Sequence, residues 1–388
     1  MTEPLGGNLS RLRQLNTLAV VHALRRQSPL TLTEVAKAAN LSRPATEEVL
    51  RDLEAQGWVA QVDPVAGSMG RPARRYRFRA DAGHVLGVDI GGHTVRAIVA
   101  DLDGELRHSE RRSVSVAAGR AERLRVVDKV IAECLAGAGL TGADLWATTV
   151  ATTGFVDADG RVVLSVGLPE WTGVHLGEHV SGRVSGPVLV ENDCRLAALA
   201  ETWRGVARYA EHVVYLLAGL RTGAGLVIDG RLHRGFARAA GEIGALPEMG
   251  WIRAQEHLRG WSGAPAGTDP DEVVALVFAA ARDGDRGALA AVRRYVRDLS
   301  IGASALVLAL DPQLVVLGGG FSRSADVLLE PFHRELEKRC VRTPEVLPSA
   351  LGDDAVALGA VKHALDHLEQ HIFDPGNGLA APEPPQRP

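Results

Sequence analysis

Cysteine is scarce in this chain. Cys134, Cys194 and Cys340 stand far apart, and an odd, dispersed set excludes a disulfide framework, offers no metal-ligand spacing and suits a reducing cytoplasm. Aromatic side chains make up 4% of the residues, so any core must be built mainly from Ala, Val and Leu. No apolar run approaches the roughly 18 residues that span a bilayer. The N-terminal MTEPLGGNLSR lacks the basic and apolar segments of a secretion signal. These absences lead to the expectation of a protein that is neither stapled by disulfides nor built to span a membrane. A hydrophobic fraction of 46% fits a globular protein, and 388 residues suffice for two or three domains, each with its own core.

Charge is unevenly spread. Residues 1–80 carry 12 Lys and Arg against 7 Asp and Glu, a balance of +5, which leaves −9 on the remainder. A basic head on an acidic body is expected where only the head meets nucleic acid. Within the head, Leu9–Arg26 places Leu12, Leu15, Leu18, Ala19 and His22 on one helical stripe, and Ser28-Pro29 breaks it. Thr31 with Glu34 forms a capping box for a second helix through Ala39. After a tight turn at Asn40-Leu41, Ser42 caps a third helix, with Pro44 in its first turn, Ala45, Val49, Leu50 and Leu53 inward, and Gly57 at its end.

Helix, short turn and longer helix have the spacing of a helix-turn-helix. A small helical bundle that binds protein is the alternative. The segment after the third helix favours DNA. Trp58–Val62 and Arg74–Arg79 read as two strands joined by the loop DPVAGSMGRPA, together a wing, and five arginines fall within Arg71–Arg79. In RRYRFR, Arg75, Arg77 and Arg79 alternate with Tyr76 and Phe78, giving one cationic and one apolar face. Arg71, between Gly70 and Pro72, suits a narrow minor groove. The expected DNA contacts are Ser42, Arg43, Thr46 and Glu47 on the helix and Arg71, Arg74 and Arg75 on the wing. Arg43 can bond guanine edges or phosphate, and Glu47 can accept from cytosine.

The body opens with strand Val85–Val88, a turn at Asp89-Ile90-Gly91-Gly92 and strand Val95–Asp101. Leu145–Thr149 is a buried strand before a loop built round Gly154. Strand Val213–Leu217 leads to a second glycine turn, Gly219–Gly225, with strand Leu226–Ile228 behind it. Gly241-Glu242-Ile243-Gly244 comes next. Strand Leu314–Leu317 opens into Gly318-Gly319-Gly320, a helix runs from about Ala325 to Lys338, and Asp354–Leu368 reads as a closing helix. Two halves, each beginning with a glycine-punctuated hairpin, predict two α/β lobes around a cleft. In Pro187–Trp203, a short aliphatic strand ends in Glu191-Asn192-Asp193 just as Leu196, Leu199, Ala200 and Trp203 take up helical spacing. Open α/β sheets place ligands there, but Asn and Asp also cap helices, and this stretch alone leaves both roles open.

At this point the sequence resembles the ROK family of repressors, open reading frames and sugar kinases. The matching stretches are LGVDIGGHTVRAIVADLDGEL, VENDCRLAALAE, GAGLVIDGRLHRG, AAGEIGALP and DPQLVVLGGG, in the family's order over about residues 85–368. LSRPA and GRPARRY resemble the winged helix of its transcription factors. The resemblance implies an actin-like or ribonuclease-H-like two-lobed fold and a homo-oligomer, dimer or tetramer. It makes Asp193 the counterpart of the kinases' general base, gives Asn192 and Glu242 sugar hydroxyls to hold, and sets Gly154 at the pocket's border.

The departures matter as much. Gly167 replaces a sugar-binding asparagine, and Ala245 replaces the family's zinc-site histidine. The cysteine cluster is absent from MGWIRAQEHLRGWSGAP, where Glu256 and His257 are the obvious donors. The phosphate-binding Gly-Thr-Gly is Gly219-Leu220-Arg221 here, and His93 stands where the kinases usually have threonine. Phosphoryl transfer depends on holding phosphates in line, so loss of these parts argues against kinase activity.

The expected organisation is an α/β chain with a winged helix-turn-helix over residues 1–80, a two-lobed sugar-kinase-like domain over 84–372 and a disordered tail over 373–388. The expected function is a cytoplasmic transcriptional regulator, a repressor binding operator DNA and a sugar or sugar derivative, with no cofactor, no metal and no membrane partner. The rival is an active ATP-dependent sugar kinase carrying a DNA-binding head. A body that answers to a partner protein instead of a small molecule is a third possibility.

Overall fold

The computed structural model describes residues 9–62, 73–219, 221–373, 379, 381 and 382. The head begins with helix α1 (Leu9–Arg26), followed by β1 (Leu30–Thr31), α2 (Leu32–Ala39), α3 (Arg43–Gln56), β2 (Val59–Val62) and β3 (Arg75–Phe78). Local chemistry sets these boundaries. Thr31 and Glu34 form the reciprocal capping box of α2, Asn40 turns the chain at φ 55°, Ser42 caps α3, and Gly57 ends it at φ 89°. The strands form one antiparallel sheet, β1-β3-β2, which is the wing expected from the sequence. Its connecting loop, 63–72, with Arg71, lies outside the described residues.

The buried stripe of α1 differs from the expected one. Leu18, Val20, Val21 and Leu24 face the core, whereas Leu12 and Leu15 are 55% and 45% exposed. The stripe is rotated because α1 packs on the head's other helices and, through its second half, on the body.

The first lobe contains β4 (His84–Ile90), β5 (Thr94–Asp101), β6 (Leu106–Ser113), α4 (Arg120–Gly137), β7 (Leu145–Thr152), β8 (Phe155–Val156), β9 (Val162–Leu164), α5 (Leu176–Ser181) and β10 (Val188–Asn192). Helix α6 (Asp193–Arg204) leaves it. The second lobe contains β11 (Val213–Ala218), β12 (Thr222–Ile228), β13 (Arg231–Leu232), α7 (Trp251–Arg259), α8 (Pro270–Arg282), α9 (Arg286–Leu310), β14 (Leu314–Gly318), α10 (Ala325–Glu337) and β15 (Glu345–Pro348). Helix α11 (Ala355–His371) returns to the first lobe, packing on α6, β4 and β7.

The two sheets share one topology. Their orders are β6-β5-β4-β7-β10 and β13-β12-β11-β14-β15. In each, the first three strands in sequence pair antiparallel and the last two add in parallel. The paired glycine hairpins predicted two α/β lobes, and this shared plan is the duplicated ribonuclease-H-like one that the family resemblance implied. Strand β6 was not foreseen: LRHSERRS is polar on both faces, as suits an exposed edge.

Few aromatics and many small residues let helices approach closely. A methyl group on Gly359 of α11 would overlap the Leu196 carbonyl of α6, and one on Gly87 of β4 would meet Ala357 and Val361 of α11. Head and first lobe also share a core. Trp58 stacks on Phe78 at 5.9 Å, with Trp146 and Phe373 edge-on at 5.7 and 5.6 Å. Phe373, expected to begin a disordered tail, is instead 5% exposed and held in this aromatic cluster. Apart from Leu379, Ala381 and Pro382, the rest of that tail lies outside the described residues.

Gly359→Ala should therefore destabilise the fold by about 3 kcal/mol, measured by urea denaturation, whereas Gly320→Ala, at a position with open space around it and no left-handed backbone, should cost clearly less. Equal losses would show that the α6–α11 approach is not tight.

Candidate DNA interface and effector cleft

On the head, Arg43, Glu47 and Arg51 lie on the exposed face of α3 at intervals of four. Glu48 and Asp52, on its flank, approach Arg13 of α1 instead. Among the described residues, no ion pair holds Arg43 or Arg51, which leaves both guanidinium groups available to bases or phosphates. Arg51 was missed by the sequence reading, although its spacing from Arg43 and Glu47 marks the same face. Ser42 accepts from the Ala45 amide at 3.4 Å. Thr46 corrects an expectation: it is 0% exposed, and its hydroxyl donates to the Ser42 carbonyl at 2.9 Å. It lies on the inward stripe with Val49, Leu50 and Leu53, so it supports the helix and does not face outward.

The wing arginines divide. Arg74 is exposed and has no acidic partner among the described residues. Arg75 lies 3.6 Å from Glu34, Arg77 lies 3.4 Å from Asp81, and Arg79 donates to the Gly57 carbonyl at 3.3 Å. Part of the cationic run thus ties the wing to its own domain.

In the body, β10 ends in Glu191 and Asn192, and Asp193 begins α6. Asn192 does cap the helix: its Oδ1 accepts from the amides of Cys194 at 2.9 Å and Arg195 at 3.2 Å. Its Nδ2 donates to the Gly154 carbonyl at 3.1 Å, so the same side chain fixes the loop after β7. Gly154 sits at φ 102°, where a side chain would be strained and would run into the Leu164 carbonyl. Asp193, half-buried, accepts at Oδ1 from the Cys194 amide at 2.8 Å. Burial raises its carboxyl above the ordinary value, against the pull of its bonds to Cys194 and the charge of Arg195. Burial likewise raises Glu242, opposed by Arg195 and assisted by Asp193. Asp89, at the end of β4, is pushed up to about 7 by burial and then by Asp193. Asp193 thus lies within electrostatic reach of both Asp89 and Glu242, which brings carboxyl groups of three segments into one region.

Behind them lies a cluster that sequence reasoning did not assemble. Glu191 is 0% exposed and accepts from Arg195 at 3.1 Å, Arg234 at 2.5 Å and Arg238 at 2.9 Å. Burial raises its carboxyl, but Arg234 and Arg238 outweigh burial and bring it to about 2. Arg195 also donates to the Arg238 and Ala240 carbonyls and approaches Glu242 at 3.7 Å. Arg234 lies 2.8 Å from Nε2 of His363 on α11, whose Nδ1 lies 3.2 Å from the Thr149 hydroxyl. Burial and then Arg234 lower His363 to about 4, so it is neutral at pH 7, with Nε2 accepting from the guanidinium and Nδ1 donating to Thr149.

The departures in the glycine turns face each other's lobes. Arg221 donates from Nη2 to the Gly167 carbonyl at 2.8 Å. A side chain on Gly167 would meet the Arg221 guanidinium, so these two unusual residues fit one another. His93 lies 3.3 Å from Asp271 of α8. His257 lies 2.9 Å from Asp298. Among the described residues, no group of three or more His, Cys, Asp or Glu is placed to hold a metal ion, and no helix is long and apolar enough to cross a membrane. The donor set does not fit the family's zinc.

A winged helix joined to a duplicated ribonuclease-H-like body defines a helix-turn-helix protein built on a sugar-kinase fold. The ROK family profile matches residues 85–257 and 269–367, and an IclR helix-turn-helix domain profile matches residues 15–63. The chain belongs to the ROK family. It is 23% identical to a xylose repressor of Caldicellulosiruptor bescii over 93% of this chain and 98% of that protein. It is 27% identical to a glucokinase of Thermotoga maritima over 71% of this chain and 95% of that one. Among solved structures, it is similar to a ROK family transcriptional regulator described as a homologue of the Escherichia coli MLC protein, with TM-score 0.67, 21% identity and coverage of 92% and 97%. A ROK glucokinase from Streptomyces griseus, in complex with glucose and AMPPNP, gives TM-score 0.61 and 25% identity over 73% of this chain and all of that one.

Glu191→Gln should cost about 3–5 kcal/mol near pH 7, because it leaves three guanidinium groups around a neutral side chain. Since the folded carboxyl titrates at about 2 against an ordinary 4.5, its stabilisation is complete above about 4.5 and disappears as pH falls through 2. Denaturation curves of parent and variant should therefore converge in strong acid.

Proposed function

We propose that this protein is a cytoplasmic transcriptional repressor that binds operator DNA as a homo-oligomer and responds to a sugar through its kinase-like body without phosphorylating it. One observation carries this: a chain whose α3 arginines have no ion pair among the described residues carries, at the expected phosphate turn of its body, Arg221 bonded to the Gly167 carbonyl of the other lobe. A kinase needs that turn to position phosphates. A receptor does not. The similarity to a xylose repressor over 93% of the chain supports the same function, whereas the two glucokinases match 71% and 73% of it.

In the proposed mechanism, Arg43, Arg51 and Arg74, with Ser42 and Glu47 beside them, meet DNA, and Arg75 and Arg71 add further contacts to it. Asp193 and Glu242 accept sugar hydroxyls, while Asn192 holds the Gly154 loop and α6 in register around them. Ligand closes the lobes and changes the spacing of the two heads, and only a difference in affinity between the two states can drive that shift. Retention of Asp193 and the similarity to glucokinases favour the kinase as second reading. A coupled ADP-release assay across common hexoses decides: turnover lost in Asp193→Asn would establish it.

Arg43→Ala and Arg51→Ala should each weaken operator binding by about 1–3 kcal/mol in a mobility-shift assay if they meet bases, or lower the salt slope by about 1 if they meet phosphate. Unchanged affinity in both would remove α3 from the groove. Asp193→Ala should abolish release of operator by sugar, and a response persisting at the parent's effector concentration would place the pocket elsewhere.

A further inference from the structure

The chain crosses between the lobes twice, after α6 and before α11. One buried carboxylate holds both crossings. Glu201, in the last turn of α6 and fully buried, accepts from the Val206 amide at 2.9 Å on the first crossing and from the Ser349 hydroxyl on the second. Glu191, also fully buried, bonds Arg234 and Arg238 of the second lobe. The lobes therefore share a buried joint. Removing one partner of a buried ion pair shifts an equilibrium by more than about a hundredfold.

At the glycine turns the lobes meet through contacts of another kind. The first turn carries His93, whose Nε2 lies 3.3 Å from Asp271 at the start of α8. The second carries Arg221, whose Nη2 donates at 2.8 Å to the Gly167 carbonyl, on the loop after β9. Each turn thus sends one side chain to the opposite lobe. The two contacts are neighbours, since Arg221 lies within electrostatic reach of Asp271, and also of Asp193. Asp271 is held in turn by Arg259 at 3.1 Å. His93 and Arg221 are both exposed, and exposed contacts shift an equilibrium by no more than about tenfold each. When the lobes part, these two contacts break and the buried joint survives.

We propose that His93 and Arg221 form a strap across the lobes, and that the body opens by pivoting on the joint at Glu191 and Glu201 once the strap lets go. This rests on the lobe movement proposed above and names the contacts that restrain it.

Double electron–electron resonance on the full-length protein tests the strap. Spin labels go on α4 and α8 through Ala121→Cys and Ala275→Cys, at exposed positions. Cys340→Ser removes the native thiol that is not buried. Labelled chains are diluted with excess unlabelled chain, so that the measured pairs lie within one chain. His93→Ala and Arg221→Ala should each raise the longer-distance fraction by up to about tenfold. The double variant should exceed both, because the two contacts oppose the same opening. His93→Gln and Arg221→Lys, which can still donate, should stay closer to the parent than the alanine variants, and this rescue separates strap from misfolding. An unchanged distance distribution in the double variant overturns the strap, and so do conservative variants as open as the alanine ones. Operator affinity of the double variant, read by mobility shift, bears on the movement itself. Longer distances with unchanged operator affinity leave the strap standing and overturn lobe movement as the route from body to head.

Discussion

A carboxylate sealed from water and gripped by three guanidinium groups holds the body in its present arrangement. Glu191 ends a strand of the first lobe, Arg195 begins the helix that leaves it, and Arg234 and Arg238 come from the second lobe's loop after β13. Each charge is tolerable in the interior only because the others are present. The cluster therefore fixes how β10, α6 and that loop sit together, and with them the positions of Asn192, Asp193 and Glu242. The groups proposed to meet a ligand are thus positioned by a buried ionic knot behind them.

The knot reaches further through His363. This neutral imidazole takes a hydrogen bond from Arg234 and gives one to Thr149, which ties α11 to the same cluster. At its far end α11 carries Glu369, which pairs with Arg25 of the head at 2.6 Å. Arg25 also donates to the Leu102 carbonyl at 3.0 Å and lies over the Phe78 and Phe373 rings. One helix thus touches the cleft's foundation and the head's base. The close seat of Gly359 on α6 leaves little room for the two helices to slide independently.

Much of the fold was legible because its signals are local. Thr31 with Glu34, Ser42 and Gly57 announce helix ends by chemistry that acts within four residues, and the glycine hairpins announce both lobes. Strand β6 was illegible because an edge strand with polar residues on both faces carries no burial pattern. Thr46 misled because its hydroxyl suggests exposure, while its methyl fits an inward position and its hydroxyl is absorbed by the Ser42 carbonyl. Asn192, Asp193, Glu242 and Gly154 were locatable from motifs, and the structure does bring them together. The partners of Glu191 were not, since Arg234 and Arg238 lie on an irregular loop more than forty residues downstream. The fit of Arg221 to Gly167 is likewise a property of two distant segments, invisible until the lobes face each other.

The aromatic cluster at the head's base has a consequence for how the protein is made. Trp58 and Phe78 leave the ribosome early, but Phe373, which covers both, emerges long after them. Until then the nascent head keeps an unfinished apolar seam, and a chain halted before its last helix exposes tryptophan to water. Completion of the reader thus waits on completion of the sensor, so truncated products are handicapped as competitors for the operator.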